Sequence, residues 1–212
     1  MQNFRKVTII ILLIFPFSFL NAQNWDIETL QRMNSNENVF LKNYSRVTSE
    51  TMPYISIGTP LVMSAIALVE KDDKLLKNAL YVGASLAVDI TFTYALKVGV
   101  SRQRPYVTYP DLVRPYKIMS DRSFPSGHTS VAFALATSLT MKYPKWYVIA
   151  PFYFWAASVG YSRMNLGVHY PTDVMAGAVL GAGSAYLTYV LNECFWKKRE
   201  NKKLLSNVDI WY

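Results

Sequence analysis

One cysteine and two histidines are all the thiol and imidazole groups this 212-residue chain offers. The lone Cys194 excludes an intrachain disulfide and any cysteine-rich metal site. It lies in an apolar run, where a small buried hydrophobe is expected. Acidic residues are also sparse, 14 against 22 lysines and arginines, for a net charge of +8. Such a balance favours anionic partners: nucleic acid, a membrane surface or phosphate groups. Nucleic acid fits poorly, because the lysines cluster between apolar runs and no basic helix interleaved with aromatics is present. There are no internal repeats or low-complexity tracts, and the length suits one domain.

What is abundant is hydrophobicity, at 51% of residues. The mean hydropathy of +0.11 averages long apolar runs with charged segments. Residues 1–22 pair a basic start, Arg5-Lys6, with an uncharged run from Val7 to Leu20 and then Asn21-Ala22-Gln23. That pattern describes a signal peptide with cleavage expected after Ala22, the other reading being an uncleaved first membrane span. Residues 23–52 are polar, and predict a short amphipathic periplasmic or interfacial helix followed by a loop, with no visible chemistry. The runs Met52–Val69, Ala79–Val100, Thr129–Met141, Tyr147–Val159 and Val174–Phe195 follow. The first, second and last approach the ~20 residues that cross a bilayer, and the other two need their polar flanks to do so.

The charges between these runs are one-sided. Lys71, Lys74 and Lys77, then Lys142 and Lys145, then Lys197, Lys198, Arg199, Lys202 and Lys203 occupy alternate connections. If every run crosses, these segments share the cytoplasmic side. Residues 23–52, 101–126 and 161–172 then lie outside. The expected architecture is all-α: a polytopic membrane bundle of five to six transmembrane helices, its site at the outer, periplasmic face of a bacterial inner membrane. Residues 53–195 form the membrane domain, and 196–212 a basic cytoplasmic tail. The outer segment 101–126 is itself basic, with Arg102, Arg104, Arg114, Lys117 and Arg122 against Asp111 and Asp121. An anionic substrate would account for it. Its prolines argue for an ordered loop without a long helix.

Both histidines fall in polar motifs on that outer side. Pro125-Ser126-Gly127-His128 precedes an apolar helix. Ser126 suits the N-cap, Gly127 lets a ligand approach the backbone, and the unpaired first amides suit a phosphate. His169-Tyr170-Pro171-Thr172-Asp173 opens another, with proline at its first position. Asp173 in the first turn can reach back to His169 and fix its tautomer, which makes His169 the nucleophile candidate and His128 the acid. Lys97, Arg104 and Arg163 supply positive charge, the guanidiniums as planar forks for two phosphate oxygens. Taken singly, each motif has a plainer reading as a helix cap, a loop histidine or a basic residue snorkelling at a helix end.

Together Lys97-x6-Arg104-Pro105, Pro125-Ser126-Gly127-His128 and Ser162-Arg163-x5-His169-x3-Asp173 resemble the three motifs of the type 2 phosphatidic acid phosphatase family. The resemblance covers residues 97–173 by motif and departs at none of the motif positions. It implies a phosphatase that needs no metal or other cofactor. His169, oriented by Asp173, is then the nucleophile and His128 the acid and base. Lys97, Arg104, Ser126, Gly127 and Arg163 bind the phosphate. A site at helix ends on the outer face favours lipid phosphates: an isoprenoid diphosphate or a lipid A phosphate first, then phosphatidic acid or phosphatidylglycerol phosphate. The same motifs resemble soluble non-specific acid phosphatases, against which the apolar runs and one-sided lysines weigh, and vanadium haloperoxidases, which a halide-oxidation assay with added vanadate separates. Oligomeric state is not legible.

Overall fold

The computed structural model describes residues 17–208, with side chains described over 24–195. Every element among them is helical. In chain order they are α1 (Phe17–Asn34), α2 (Val39–Glu70), α3 (Asp73–Val100), the single turn α4 (Pro105–Thr108), α5 (Gly127–Lys142), α6 (Trp146–Asn165) and α7 (Pro171–Val208). Most of the leading apolar run lies outside the described residues, and α1 continues through Ala22.

Two short connections fold α2 and α3 into an antiparallel pair and start the bundle. Lys71 ends α2 in the left-handed region, at φ 54°, and Asp72 caps α3 by accepting from the amides of Lys74 and Leu75. Helix α5 lies at the centre, packed against α7, α6, α3 and α2. Its composition is suited to that place: Thr129, Ser130, Ala132, Ala134, Ala136, Thr137 and Ser138 are all buried. Small residues let helix backbones approach closely inside a membrane bundle. Helix α7 answers with Gly181, where a Cβ would fall 2.0 Å from the Ser130 carbonyl oxygen of α5.

The large apolar side chains face outward. Tyr54, Ile57, Leu61, Leu68 and Val69 of α2, Leu80, Ile90 and Val98 of α3, and Met175 and Val179 of α7 are all exposed. So much exposed apolar surface requires an apolar surrounding. Among the described residues, three helices are long and apolar enough to cross a membrane: Val39–Glu70, the stretch Asp73–Thr108, and Pro171–Phe195. The chain is a multi-pass membrane protein. Helix α5, at 16 residues, is too short by that measure, and the tyrosines, Pro151 and Arg163 of the 20-residue α6 lower its hydropathy.

Two expectations change. Residues 39–52 are not a loop; they are the first turns of α2, capped by Asn38, whose side chain accepts from the Leu41 amide. Cys194 is exposed, because it lies on an outward face of α7. The basic residues after it continue that helix to Val208.

Alternation of direction through the bundle brings the end of α3, the start of α5, the end of α6 and the start of α7 to one end. A small core cluster of Leu30, Val113 and Tyr170 ties α1 to the connecting loops there.

Candidate active site

Arg104 organises the cluster. Its Nη1 donates to the Val168 carbonyl at 2.7 Å and lies 3.2 Å from Nε2 of His169. A guanidinium can only donate, so Nε2 holds its lone pair and the ring proton sits on Nδ1. From the sequence, Asp173 is expected to fix this tautomer through a bond to Nδ1. Asp173 itself lies 3.6 Å from Nδ1, longer than a hydrogen bond, and Nδ1 has no closer partner among the described residues. The carboxylate is instead held by Ser123 Oγ at 2.5 Å, the Tyr170 amide at 3.0 Å and Arg102 Nη1 at 2.8 Å. His169 is buried at 2% exposure. Burial foremost, and the nearby charges of Arg104 and Arg163 against the pull of Asp173, hold it down to about 3. The imidazole is therefore neutral at physiological pH.

The other half of the Arg104 fork grips Asp121. Nη2 meets Oδ1 at 2.5 Å and Nε donates to the Asp121 carbonyl at 3.0 Å. Lys97 Nζ binds Oδ2 at 2.9 Å. One carboxylate thus bridges the two cations, as two oxygens of a phosphate would. Burial would raise Asp121, but Lys97 and Arg104 outweigh it and pull the carboxyl down to about 2.

Helix α5 begins at Gly127 beside this cluster. Ser126 stands at the N-cap, but its Oγ pairs with Thr129 Oγ1 at 2.9 Å and does not cap the amides. The Ser126 amide donates to the Asp173 carbonyl at 3.0 Å, which locks the starts of α5 and α7 together. A Cβ at Gly127 would meet only Thr93 and Lys97, at 3.5 and 3.9 Å. His128, half-buried, and Arg163 line a cavity of about 230 Å³ with Ser49, Glu50, Tyr116 and Lys117. Arg163 is 3% exposed; its Nη1 contacts Ser49 Oγ and its Nε has no partner among the described residues. Lys97, Arg104, Ser126, Gly127, Arg163, His128, His169 and Asp173 thus meet at one end of the bundle. No cluster of three or more histidine, cysteine or carboxylate side chains suited to a metal occurs among the described residues.

Asp26, Asn34 and Ser123 escaped the sequence reading, and Arg102 and Asp121 entered it only as charges of the basic outer segment. Residues 23–52, where no chemistry was expected, supply a supporting layer. Asp26 of α1 is 2% exposed and accepts from Arg102 at 2.8 Å, the Thr172 amide at 3.0 Å and the Thr172 hydroxyl at 2.5 Å. Arg102 also donates to Thr172 Oγ1 at 2.7 Å and stacks on Tyr170, 3.9 Å from its ring centre. Asn34 bonds the Arg114 and Asn165 carbonyls at 3.0 and 3.1 Å and accepts from the Arg114 amide. Gly167, at φ 69°, makes this fit possible, since a Cβ there would fall 2.7 Å from Asn34 Nδ2. The only sequence signal was the polarity of the segment.

Comparison with known proteins places this arrangement. The chain is 30% identical over 154 residues to an undecaprenyl-diphosphatase of Sulfolobus acidocaldarius, covering 71% of this chain and 66% of the relative. It is 30% identical over 118 residues to a lipid A 4'-phosphatase of Bacteroides thetaiotaomicron, covering 50% and 52%. The chain therefore spans about half to two thirds of the length of these curated relatives. Two crystal structures share the fold. One is a transmembrane PAP2-type phosphatidylglycerolphosphate phosphatase from Bacillus subtilis, with a TM-score of 0.68, 23% identity, and 88% of this chain and 95% of that one covered. The other is LpxE of Aquifex aeolicus, with a TM-score of 0.66, 22% identity, and 78% and 94% covered. The family model described as the PAP2 superfamily matches residues 78–197, more than half of the chain and all three motifs. By that match the chain belongs to the PAP2 superfamily.

Proposed function

We propose that this protein is a membrane phosphatase that hydrolyses a lipid phosphate or diphosphate through a phosphohistidine on His169. The observation that carries the reading is Arg104, whose guanidinium contacts Nε2 of a neutral His169 on one side and, with Lys97, an anionic carboxylate on the other. Replacing that carboxylate by a phosphoryl group puts phosphorus beside the imidazole lone pair. Nε2 attacks phosphorus as the bond to the leaving oxygen breaks, and His128 gives that oxygen a proton. Asp173 balances the charge that builds on the ring. His128 then takes a proton from water as its oxygen attacks phosphorus, the P–N bond breaks, and phosphate and neutral His169 are regenerated. Lys97, Arg104, Arg163 and the first amides of α5 stabilise the equatorial oxygens.

The helix-end position of the site supports a substrate anchored in the bilayer, and the one-sided lysines support an outer, periplasmic face of a bacterial inner membrane, with α5 and α6 also crossing. The names of the relatives favour isoprenoid diphosphates and lipid A phosphates as the first compounds to try. The decisive experiment is phosphate release by the detergent-purified protein over a lipid-phosphate panel, with His169→Ala as control. Activity confined to water-soluble esters, or retained by the variant, would sink the proposal.

A further inference from the structure

Beside the catalytic cavity lies a second one, also of about 230 Å³, and Tyr116 lines both. Its charged lining is Lys42 and Arg46 of α2 and Arg114 of the connecting loop, against one carboxylate, Glu37. No carboxylate lies within ion-pair distance of those three cations among the described residues. Lys42 donates to the Asn34 and Asn165 carbonyls at 2.9 and 2.7 Å and makes no ion pair among the described residues. Arg46 sits over the Tyr116 ring, 5.5 Å from its centre, and the Tyr116 hydroxyl contacts Glu50 on the catalytic side.

Lys42, Arg46, Ser49, Glu50 and Pro53 form one stripe of α2, spaced three and four residues apart. The basic cavity takes the first two and the catalytic cavity the last three. Arg46 and Ser49, the α2 residue in contact with Arg163, lie about one helical turn apart, ~4.5 Å of axis at ~1.5 Å per residue, and Tyr116 lines the cavities on both sides. We propose that the basic cavity is a second anion subsite, and that it holds a second phosphate on the same lipid headgroup whose first phosphate is cleaved. Two separate cavities that share Tyr116 in their lining suit two anions held apart on one headgroup better than the adjacent phosphoryls of a diphosphate, which are joined through one oxygen. This assignment rests on the phosphatase reading and narrows its substrate class to lipids with two separated anionic groups.

The test compares a disaccharide glycolipid bearing a phosphate at each end with the same lipid retaining only the scissile phosphate. Arg46→Ala and Arg114→Ala, both exposed positions, are expected to raise KM for the two-phosphate lipid roughly five- to tenfold, as for loss of a charge-assisted contact. Its kcat, and both constants for the one-phosphate lipid, should hold, and Arg46→Lys should restore most of the loss. An unchanged KM, or equal losses on both lipids, would overturn the subsite. Phosphatidylglycerol added to one-phosphate micelles separates the two sources of the anion. Stimulation that Arg46→Ala abolishes would assign the cavity to a neighbouring lipid and overturn the proposal as stated. If the wild-type protein released phosphate from no lipid, the phosphatase reading would fail. Binding of the two-phosphate lipid to wild type and Arg46→Ala would then still decide the subsite.

Discussion

Asp121 Oδ1 lies 2.5 Å from Nη2 of Arg104, so the arginine that touches the His169 lone pair is already bonded to an internal carboxylate. Substrate phosphate must share or displace it. Asp121→Asn removes the competing charge while keeping the shape. Inorganic phosphate or vanadate should then inhibit roughly tenfold more strongly, because Lys97 and Arg104 are left without their internal anion. Inhibition constants measured on one soluble substrate decide it, and unchanged or weaker inhibition would show that Asp121 does not occupy the phosphate position. With its carboxyl at about 2, Asp121 stays ionised over the whole working range, so the effect should persist from pH 5 to pH 8.

His169 offers a pH test with a definite sign. Its folded value of about 3 lies below the ordinary 6.5. The unfolded chain therefore binds the extra proton between those values, and stability falls as pH drops from about 6.5 towards 3. Melting temperature of the wild type minus that of His169→Gln should shrink as the pH falls from 7 to 4.5. A difference independent of pH would mean that the ring titrates alike in the folded and unfolded chains, and one that grows as the pH falls would mean that the folded protein keeps it charged. The same low value predicts that no acid limb near pH 6 in kcat/KM belongs to His169.

Arg102 and Asp26 should act on rate without touching substrate. Arg102 holds the Asp173 carboxylate at 2.8 Å and is held in turn by Asp26 at 2.8 Å. Asp26→Asn and Arg102→Lys should each lower kcat roughly 10- to 100-fold, with KM changed little. Losing an outer-layer contact to an orienting carboxylate has costs of this order. Lysine keeps the charge but not the fork that spans Thr172, Asp173 and Asp26. A pure KM effect would place these residues in binding and not in positioning.

Close approach of α7 to α5 is tested by two alanines. Gly181→Ala would drive a methyl to 2.0 Å from the Ser130 carbonyl oxygen, whereas Gly183→Ala meets open space. The first should destabilise by about 1–3 kcal/mol, the range for overpacking, and the second should be near neutral. Thermal unfolding in detergent measures both. Equal effects would show that the helices can separate without cost.

The motif residues were legible because each needs a particular functional group at a fixed offset from a helix end. Pro171 and Asp173 illustrate this: the helix starts at the proline, and the carboxylate follows within the first turn. Ser126 was legible only in position. It stands at the N-cap, yet its hydroxyl turns to Thr129, a choice set by burial at the α5–α7 contact. Asp26 and Asn34 were not legible at all. Their partners, Arg102, Thr172, Arg114 and Asn165, lie far along the chain, and a polar amphipathic helix has the same pattern whether it faces water or a supporting network.

By itself, the sequence determined the helical class, the apolar spans and the shared side of the three motifs. Those properties follow from local periodicity, from run length against bilayer thickness and from the distribution of loop charges. Only the tertiary structure decided that Arg104 meets Nε2 of His169, that Asp121 bridges the two cations, and that α1 braces Asp173 through Arg102. Those contacts depend on angles between helices and on the depth to which small residues let α5 and α7 approach. Such distances arise from packing across the whole bundle, and no segment of sequence carries them alone.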